Sequence, residues 1–217
     1  MSDFTLDPQH TLIVGMTGSG KTTFVNRYLL NEPGVACQFI YDDLNRMWPR
    51  LLLPCRHTPE QMESSLATRR VAFNPSRILA SFGGDPKAAF AWWCEWVFSV
   101  CQRGPGKKQV VVPEVWRHCS PNTIPMGLAS IAQAGRELGI ELVVDTQRPN
   151  ALHSSITGAV TEVVAFKLMD PLALKALEGI FMSAGIDTAV EEVSALPPGR
   201  FISWNRLSGG RLSGQVF

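Results

Sequence analysis

The segment Gly15–Thr22 holds the residue types and spacing most suited to chemistry in this chain. Its sequence, GMTGSGKT, fits the phosphate-binding pattern GxxxxGK[ST] in full and lies between a predicted strand and a predicted helix. Glycines let a loop wrap its N–H groups around a phosphate, and the helix start adds partial positive charge. We expect Lys21 to contact the β- and γ-phosphates of ATP, and the Thr22 hydroxyl to bind Mg²⁺. The predicted nucleotide-binding residues are Gly15, Met16, Thr17, Gly18, Ser19, Gly20, Lys21, Thr22 and Thr23.

A catalytic base is expected just after the apolar run Gln109–Val112, at Glu114. Such a strand usually ends in Asp-Glu, where the Asp holds a Mg²⁺ water and the Glu activates the attacking water. Here Pro113 stands in the Asp position. Three carboxylates at other predicted strand ends could replace it: Asp42, Asp43 and Asp145. Asp145 is the best placed if its strand neighbours the strand of the phosphate loop. The alternative for Glu114 is a capping or rim carboxylate.

Three polar residues around the fifth predicted strand are further catalytic candidates. Gln147 follows the strand tip, where an amide beside the γ-phosphate can sense the nucleotide and orient water; the alternative is a loop-capping amide. Arg136 on the preceding helix and Arg148 beside Gln147 could each reach a neighbouring subunit's nucleotide. For either arginine in isolation, a surface or helix-pairing role is the alternative.

The elements that must position these residues alternate between β-rich and helical runs, which is typical of a parallel α/β sheet. The predicted strands are Thr11–Val14, Gln38–Tyr41, Arg70–Phe73, Gln109–Val112, Glu141–Val144 and Glu162–Phe166. The predicted helices are Lys21–Leu30, Pro86–Gln102, Pro125–Leu138, Pro171–Phe181 and Ala189–Ala195. The Gly209-Gly210 pair within Arg200–Phe217 predicts a β-hairpin. We expect one domain, residues 1–217, because no linker or repeat interrupts the pattern.

The predicted helix Pro86–Gln102 is apolar nearly all round, with Trp93 on one face and Trp92 and Trp96 on a second. A helix of this kind is buried on more than one side. We favour a core helix under the sheet; packing of one aromatic face on a neighbouring subunit is the alternative.

Composition excludes several classes of protein. Hydrophobic residues make up 45% and charged residues 18%, which excludes a disordered chain and hints at surface hidden in an oligomer. The net charge of +1 does not indicate a nucleic-acid-binding protein, so contacts with DNA would need local basic patches. Five cysteines without a CxxC motif suit free, mostly buried thiols in a reducing compartment. We see no signal peptide or spanning segment, and expect a soluble, cytoplasmic protein.

Together these residues resemble the FtsK–HerA superfamily of DNA-translocating ATPases. The segments that carry the resemblance are GMTGSGKTT, IYDD, VAFNPS, VVVPE, SIAQAGRELGIELVVDTQRPNALHSSI and VVAFKLMDPLALKAL with LPPGRFISWN. The resemblance implies a RecA-like P-loop fold of the additional-strand, catalytic-glutamate class. It assigns nucleotide binding to Gly15–Thr22, water activation to Glu114 and sensing to Gln147. It also implies a homo-oligomeric ring, a hexamer, with DNA in the central channel.

The compact length resembles the genome-packaging ATPases of tailless, internal-membrane viruses with double-jelly-roll capsids. The working hypothesis is therefore viral or prophage genome packaging in the host cytoplasm, with capsid or packaging-vertex proteins as partners. One alternative is another DNA motor or partition ATPase of a mobile element. A second is a nucleotide-binding assembly protein with weak hydrolysis, which Pro113 makes conceivable.

Two basic clusters flank the fourth predicted strand and compete as DNA contacts. Arg117 and His118 follow Glu114, whereas Lys107 and Lys108 lie at the opposite end of the strand. We favour Arg117 with Trp116, because a loop next to the catalytic glutamate can couple hydrolysis to movement. The alternative for Trp116 is that it covers the edge of the sheet.

Overall fold

The computed structural model describes residues 9–31, 33–45, 55–182 and 190–217. The strands of this part form one sheet: β1 (Thr11–Val14), β2 (Val35–Tyr41), β3 (Cys55–Arg56), β4 (Arg70–Phe73), β5 (Lys107–Val112), β6 (Ile140–Thr146), β7 (Glu162–Phe166), β8 (Arg200–Asn205) and β9 (Arg211–Gln215). Their order is β3-β4-β2-β5-β6-β1-β7-β8-β9. Pairing is parallel from β3 to β7 and antiparallel for β8 and β9. The predicted mainly parallel sheet and closing hairpin are confirmed.

The helices flank this sheet: α1 (Lys21–Phe24), α2 (Pro59–Ser64), α3 (Pro86–Arg103), α4 (Met126–Ala134), α5 (Ser154–Ala159), α6 (Pro171–Met182) and α7 (Val190–Ala195). The predicted first helix continues from α1 as a π-helical turn, Val25–Leu29, in which Leu30 N–H donates to Val25 O. The predicted helix Pro125–Leu138 is α4 followed by a 3₁₀ turn, and Gly139 closes it at φ 72°. Ala189, the predicted start of the last helix, lies outside the described residues.

The strand order brings the candidate site residues together at the carboxyl ends of the parallel strands. Because the strands from β3 to β7 are parallel, the segments that follow β1, β5 and β6 meet at the same carboxyl edge. These segments carry the phosphate loop, Glu114 and Gln147. β6 lies between β5 and β1, so it is the additional strand that the sequence resemblance implied.

The aromatic helix α3 is a core helix of this chain, as favoured from its sequence. Phe90 and Trp93 are fully buried under the sheet. The second aromatic face is also used within the chain, since the Trp92 ring lies 5.7 Å from that of Phe82 and the Trp96 ring 5.9 Å from that of Phe39. Packing on a neighbouring subunit is therefore not needed to account for this face.

The cysteines agree with the expectation of free, mostly buried thiols. All five cysteines lie in the described part of the chain and are free thiols, of which Cys94, Cys101 and Cys119 are buried. Among the described residues, no helix is both long and apolar enough to cross a bilayer.

Candidate nucleotide-binding and catalytic site

The phosphate loop leaves β1 and enters α1 with a backbone that only glycine suits. Gly18 and Gly20 lie at φ 77° and 118°, in the region that side chains disfavour. A Cβ on Gly20 would lie 2.8 Å from Val216 Cγ2, and a Cβ on Gly15 would lie 2.7 Å from Phe166 Cβ. Close packing of Phe166 and Val216 against these glycines therefore fixes the loop at the start of α1, where its N–H groups can donate to an anion.

Lys21 bends back over this loop. Its side chain is 6% exposed, and Nζ donates to Gly15 O at 2.8 Å and to Met16 O at 3.3 Å. Within the described part of the chain, the buried Ser19 hydroxyl makes no hydrogen bond. An ammonium, a hydroxyl and a glycine-rich turn are the groups that phosphate oxygens accept from, so a triphosphate fits this loop.

Glu114 follows β5 in the left-handed conformation, at φ 48° and ψ 46°. Its own N–H donates to Asp145 Oδ1 at 3.1 Å, which fixes the strained turn from the neighbouring strand β6. Glu114 is 5% exposed, and its Oε1 lies 3.9 Å from Lys21 Nζ. The side chain thus points toward the phosphate loop, and the capping or rim alternative does not describe it.

Gln147 connects Glu114 to the phosphate loop. Its Nε2 donates to Glu114 Oε1 at 2.9 Å, and its Oε1 accepts from Thr17 Oγ1 at 2.7 Å. The amide therefore spans the space between the loop and the glutamate, which is where a γ-phosphate and an attacking water would lie. Both hydrogen bonds of this amide go to side chains of the candidate site, Glu114 and Thr17, and not to the backbone of its own loop as a capping role would require.

Comparison with known proteins places the fold. No protein-family model matches the chain, and no curated protein is significantly similar to it in sequence. Among solved structures, the genome packaging NTPase B204 from Sulfolobus turreted icosahedral virus 2, in complex with AMPPCP, gives a TM-score of 0.75 at 14% identity, over 96% of this chain and 98% of that one. The DNA-packaging ATPase B204 from Sulfolobus turreted icosahedral virus gives 0.73 at 17% identity, over 96% and 98%. This chain has the fold of a genome-packaging P-loop NTPase.

A third match extends the fold beyond packaging proteins. VirB4 of Thermoanaerobacter pseudethanolicus gives a TM-score of 0.70 at 10% identity, over 96% of this chain and 89% of that one. The motif resemblance predicted an α/β P-loop fold with a mainly parallel sheet, and that prediction is confirmed.

The three carboxylates that could replace the missing Asp lie at different distances from the β1 strand. Asp145 lies on β6 directly beside the β1 strand, in register with Ile13, as its candidacy required. Asp42 follows β2, two strands farther from β1. Asp43 is engaged elsewhere, because its Oδ2 accepts from Arg117 at 2.7 Å. Asp145 remains the best-placed substitute for the missing Asp, although one of its oxygens already accepts from the Glu114 N–H.

The two predicted arginines lie at opposite edges of the sheet. Arg148 is at the carboxyl edge, where its Cζ lies 4.5 Å from the centroid of a Trp116 ring. Arg136 lies before β6 begins, seven strand residues away, which is about 23 Å at the usual rise per residue. Within one chain Arg136 therefore does not join the site.

Two contributions to the site escaped the sequence interpretation. Trp116 Nε1 donates to Glu114 Oε2 at 2.8 Å, and Thr17 Oγ1 anchors Gln147. The position of Trp116, two residues after a glutamate at a strand end, is the only feature of the sequence that points to the first contact. A sequence alone does not reveal that the turn of Val115–Arg117 folds the indole back over the carboxylate.

The basic clusters are also resolved. His118 is buried, and burial first and the neighbouring Arg117 second lower its pKa to about 4, so at pH 7 it adds no charge to the cluster that it forms with Arg117. Lys107 Nζ lies 2.9 Å from Glu141 Oε2, and Lys108 is buried with its Nζ donating to Leu138 O. The lysine pair is thus built into the fold, whereas the Arg117 side chain is 35% exposed.

Proposed function

We propose that this chain is a Mg²⁺-dependent ATPase that moves DNA, and that its motor packages a viral or prophage genome. The observation that carries the proposal is the contact chain from Thr17 through Gln147 to Glu114, beside Lys21. It brings a phosphate loop, a base and a sensor to one edge of a packaging-NTPase fold. Those are the parts that hydrolysis of ATP to ADP and phosphate needs.

The residues divide the work of hydrolysis. The N–H groups of Gly15–Thr22 and Lys21 bind the phosphates and stabilise the charge that develops on them. Glu114 takes the proton of the attacking water, and Gln147 orients that water. Bound Mg²⁺ would add further neutralisation of phosphate charge. Thr22, in the first turn of α1, would supply a hydroxyl ligand to the ion, and phosphate oxygens and water would suit its remaining positions.

A ring of identical subunits accounts for Arg136. Because this residue lies at the edge opposite the phosphate loop, it can meet a nucleotide only in another copy of the chain. We propose a hexameric ring with Arg136 as the finger supplied in trans and with Arg148 retained near its own site. Arg117 at the carboxyl edge faces DNA in the channel, and capsid or vertex proteins hold the ring in the host cytoplasm or at the virion.

A second candidate is a DNA motor of another mobile element, which the likeness to VirB4 favours. A third is an assembly protein that binds nucleotide with weak hydrolysis, which Pro113 favours because it leaves the usual Mg²⁺-water ligand out.

Phosphate release with and without double-stranded DNA tests the proposal. We expect hydrolysis that requires Mg²⁺ and rises when DNA is added. Hydrolysis without any response to DNA over a range of salt would contradict translocation, and nucleotide binding without hydrolysis would support the assembly protein. A major capsid gene beside the coding sequence would favour packaging over the other DNA motors.

A further inference from the structure

The catalytic carboxylate is held from both sides by donors of its own chain. Glu114 Oε2 accepts the indole N–H of Trp116 at 2.8 Å, while Oε1 accepts the amide of Gln147 at 2.9 Å. An indole N–H donates and never accepts, so this contact occupies a lone pair of the base and passes on no proton. The two donors fix the orientation of the carboxylate, and the nucleophilic water must use the acceptor sites that they leave.

The indole is itself clamped. The guanidinium of Arg148 stacks at 4.5 Å from a Trp116 ring centroid, and the Arg148 N–H donates to Thr146 Oγ1 at 2.9 Å. Arg148 directly follows Gln147, the other donor to Glu114. A shift of the Arg148 segment therefore moves both donors of the carboxylate together.

The same turn reaches the exposed surface. Trp116 lies in the 3₁₀ turn Val115–Arg117, in which Arg117 N–H donates to Glu114 O. The Arg117 side chain is 35% exposed and ion-paired with Asp43 at 2.7 Å. A polyanion that draws Arg117 from Asp43 pulls on the turn that carries the indole.

We propose that Trp116 is a positioning residue that restrains Glu114 in the resting protein, and that DNA phosphate at the Val115–Arg117 turn releases it. The inference rests on the proposed ATPase function. It adds the means by which DNA would control the base. The left-handed backbone of Glu114 supports it, because strained turns of this kind have nearby alternative conformations.

The test is Trp116→Phe, which keeps an aromatic ring for Arg148 and removes the N–H together with the five-membered ring of the indole. We expect the kcat of ATP hydrolysis without DNA to rise by about 3- to 10-fold, KM to stay within about twofold, and the stimulation by DNA to fall toward one. Trp92→Phe, remote from the site under Phe82, is the matched control and should leave all three values unchanged. A fall in kcat without DNA, or DNA stimulation equal to that of the unchanged protein, would overturn the proposal.

Two further measurements separate this proposal from the proposed function. The double variant Trp116→Phe/Glu114→Gln should be inactive; if it keeps the raised hydrolysis, the base is another group and the assignment of Glu114 fails. The indole ¹H–¹⁵N signal of Trp116, assigned by its loss in Trp116→Phe, reports the hydrogen bond without turnover. It should shift when double-stranded DNA is added with a non-hydrolysable ATP analogue. An unchanged signal would refute the release even if the enzyme hydrolyses ATP.

Discussion

Two clusters of lysine, glutamate and glutamine lie at opposite ends of β5 and β6. The carboxyl-edge cluster is Lys21, Glu114 and Gln147, and the amino-edge cluster is Lys107, Gln109, Glu141 and Gln38. In the amino-edge cluster, Lys107 and Glu141 are 2.9 Å apart, and all four residues lie on strands. Gln109 is in register with both Gln38 and Glu141, while the β2–β5 pairing shifts register beside Lys107. In the carboxyl-edge cluster, the lysine and glutamate are 3.9 Å apart and every member lies outside the strands.

The same residue types therefore have different roles in the two clusters. Strand positions hold the amino-edge cluster in one geometry, so its hydrogen bonds stabilise the sheet. The carboxyl-edge cluster lies on a glycine-rich loop and on turns that follow the strands. Side chains in such segments can exchange hydrogen-bond partners when a substrate binds. Position relative to the strand ends, more than residue type, separates the structural polar cluster from the proposed catalytic one.

The largest effect is expected from Lys21→Ala set against Lys107→Ala. Lys21→Ala should lower ATP hydrolysis by about 10²-fold or more and weaken nucleotide binding, because the phosphates lose their ammonium partner. Lys107→Ala should keep hydrolysis within about twofold and cost about 3 kcal/mol of unfolding free energy, because Glu141 stays buried without its ion pair. Phosphate release and urea unfolding measure the two. Equal loss of activity in both variants would abolish the distinction between the clusters.

Glu114→Gln and Glu141→Gln form the next pair. The first keeps the shape of the side chain and removes the base, so hydrolysis should fall by about 10²-fold while ATP still binds. The second should leave kcat unchanged and lower the urea midpoint, since a neutral amide pairs less well with Lys107. If Glu114→Gln hydrolyses ATP normally, Asp145 becomes the next candidate for the base.

The contrast also explains how far the sequence could lead. The motif Gly15–Thr22 and the alternation of strands and helices were sufficient for the fold, because the phosphate loop and buried parallel strands have strong local signals. The short β3 strand and α2 helix were missed, since two strand residues carry no periodicity. The lysine pair 107–108 was read as a possible surface patch, because Glu141 is distant in sequence and its ion pair exists only across the sheet. The Trp116 contact was missed for a different reason: Trp116 is only two residues from Glu114, but the 3₁₀ turn that folds the indole back onto the carboxylate has no sequence signal.

A buried histidine lies near each cluster and predicts loss of stability in acid. Burial, as the largest cause, lowers the pKa of His10 and His118 from 6.5 to about 4. The unfolded chain therefore takes up these protons first, so the contribution to stability is complete above about pH 6.5 and is lost as the pH falls toward 4. Each histidine should lower the unfolding free energy by up to about 1.4 kcal/mol per pH unit in that range.

Urea midpoints at pH 7, 6 and 5 measure this loss. His118 stacks on Phe90 at 4.3 Å, and its Nε2 lies 3.5 Å from Asp43 Oδ2 without a hydrogen bond to either ring nitrogen within the described residues. Asp43 is already paired with Arg117, and burial is the largest influence on His118, so His118→Phe should fold and reduce the acid sensitivity. His10 bridges Ala132 O and the Leu142 N–H, so its replacement should cost stability at every pH. An acid profile unchanged by His118→Phe would contradict the assignment of a neutral buried imidazole.

The smallest expected change is in the affinity for DNA, and it is measured by comparing Arg117→Ala with Lys107→Ala/Lys108→Ala. Each phosphate contact contributes about 0.9 to the slope of log affinity against log salt. Arg117 is partly exposed at the carboxyl edge, so its removal should make the salt dependence of DNA-stimulated hydrolysis shallower by about one contact per subunit. The lysines are committed to Glu141 and Leu138 O, so their removal should lower stability and leave the slope unchanged. The opposite pattern, with the slope reduced only by the lysine variant, would move the DNA contact to the amino edge. It would then separate DNA binding from the edge that carries Glu114, and the coupling of hydrolysis to movement would need another path through the sheet.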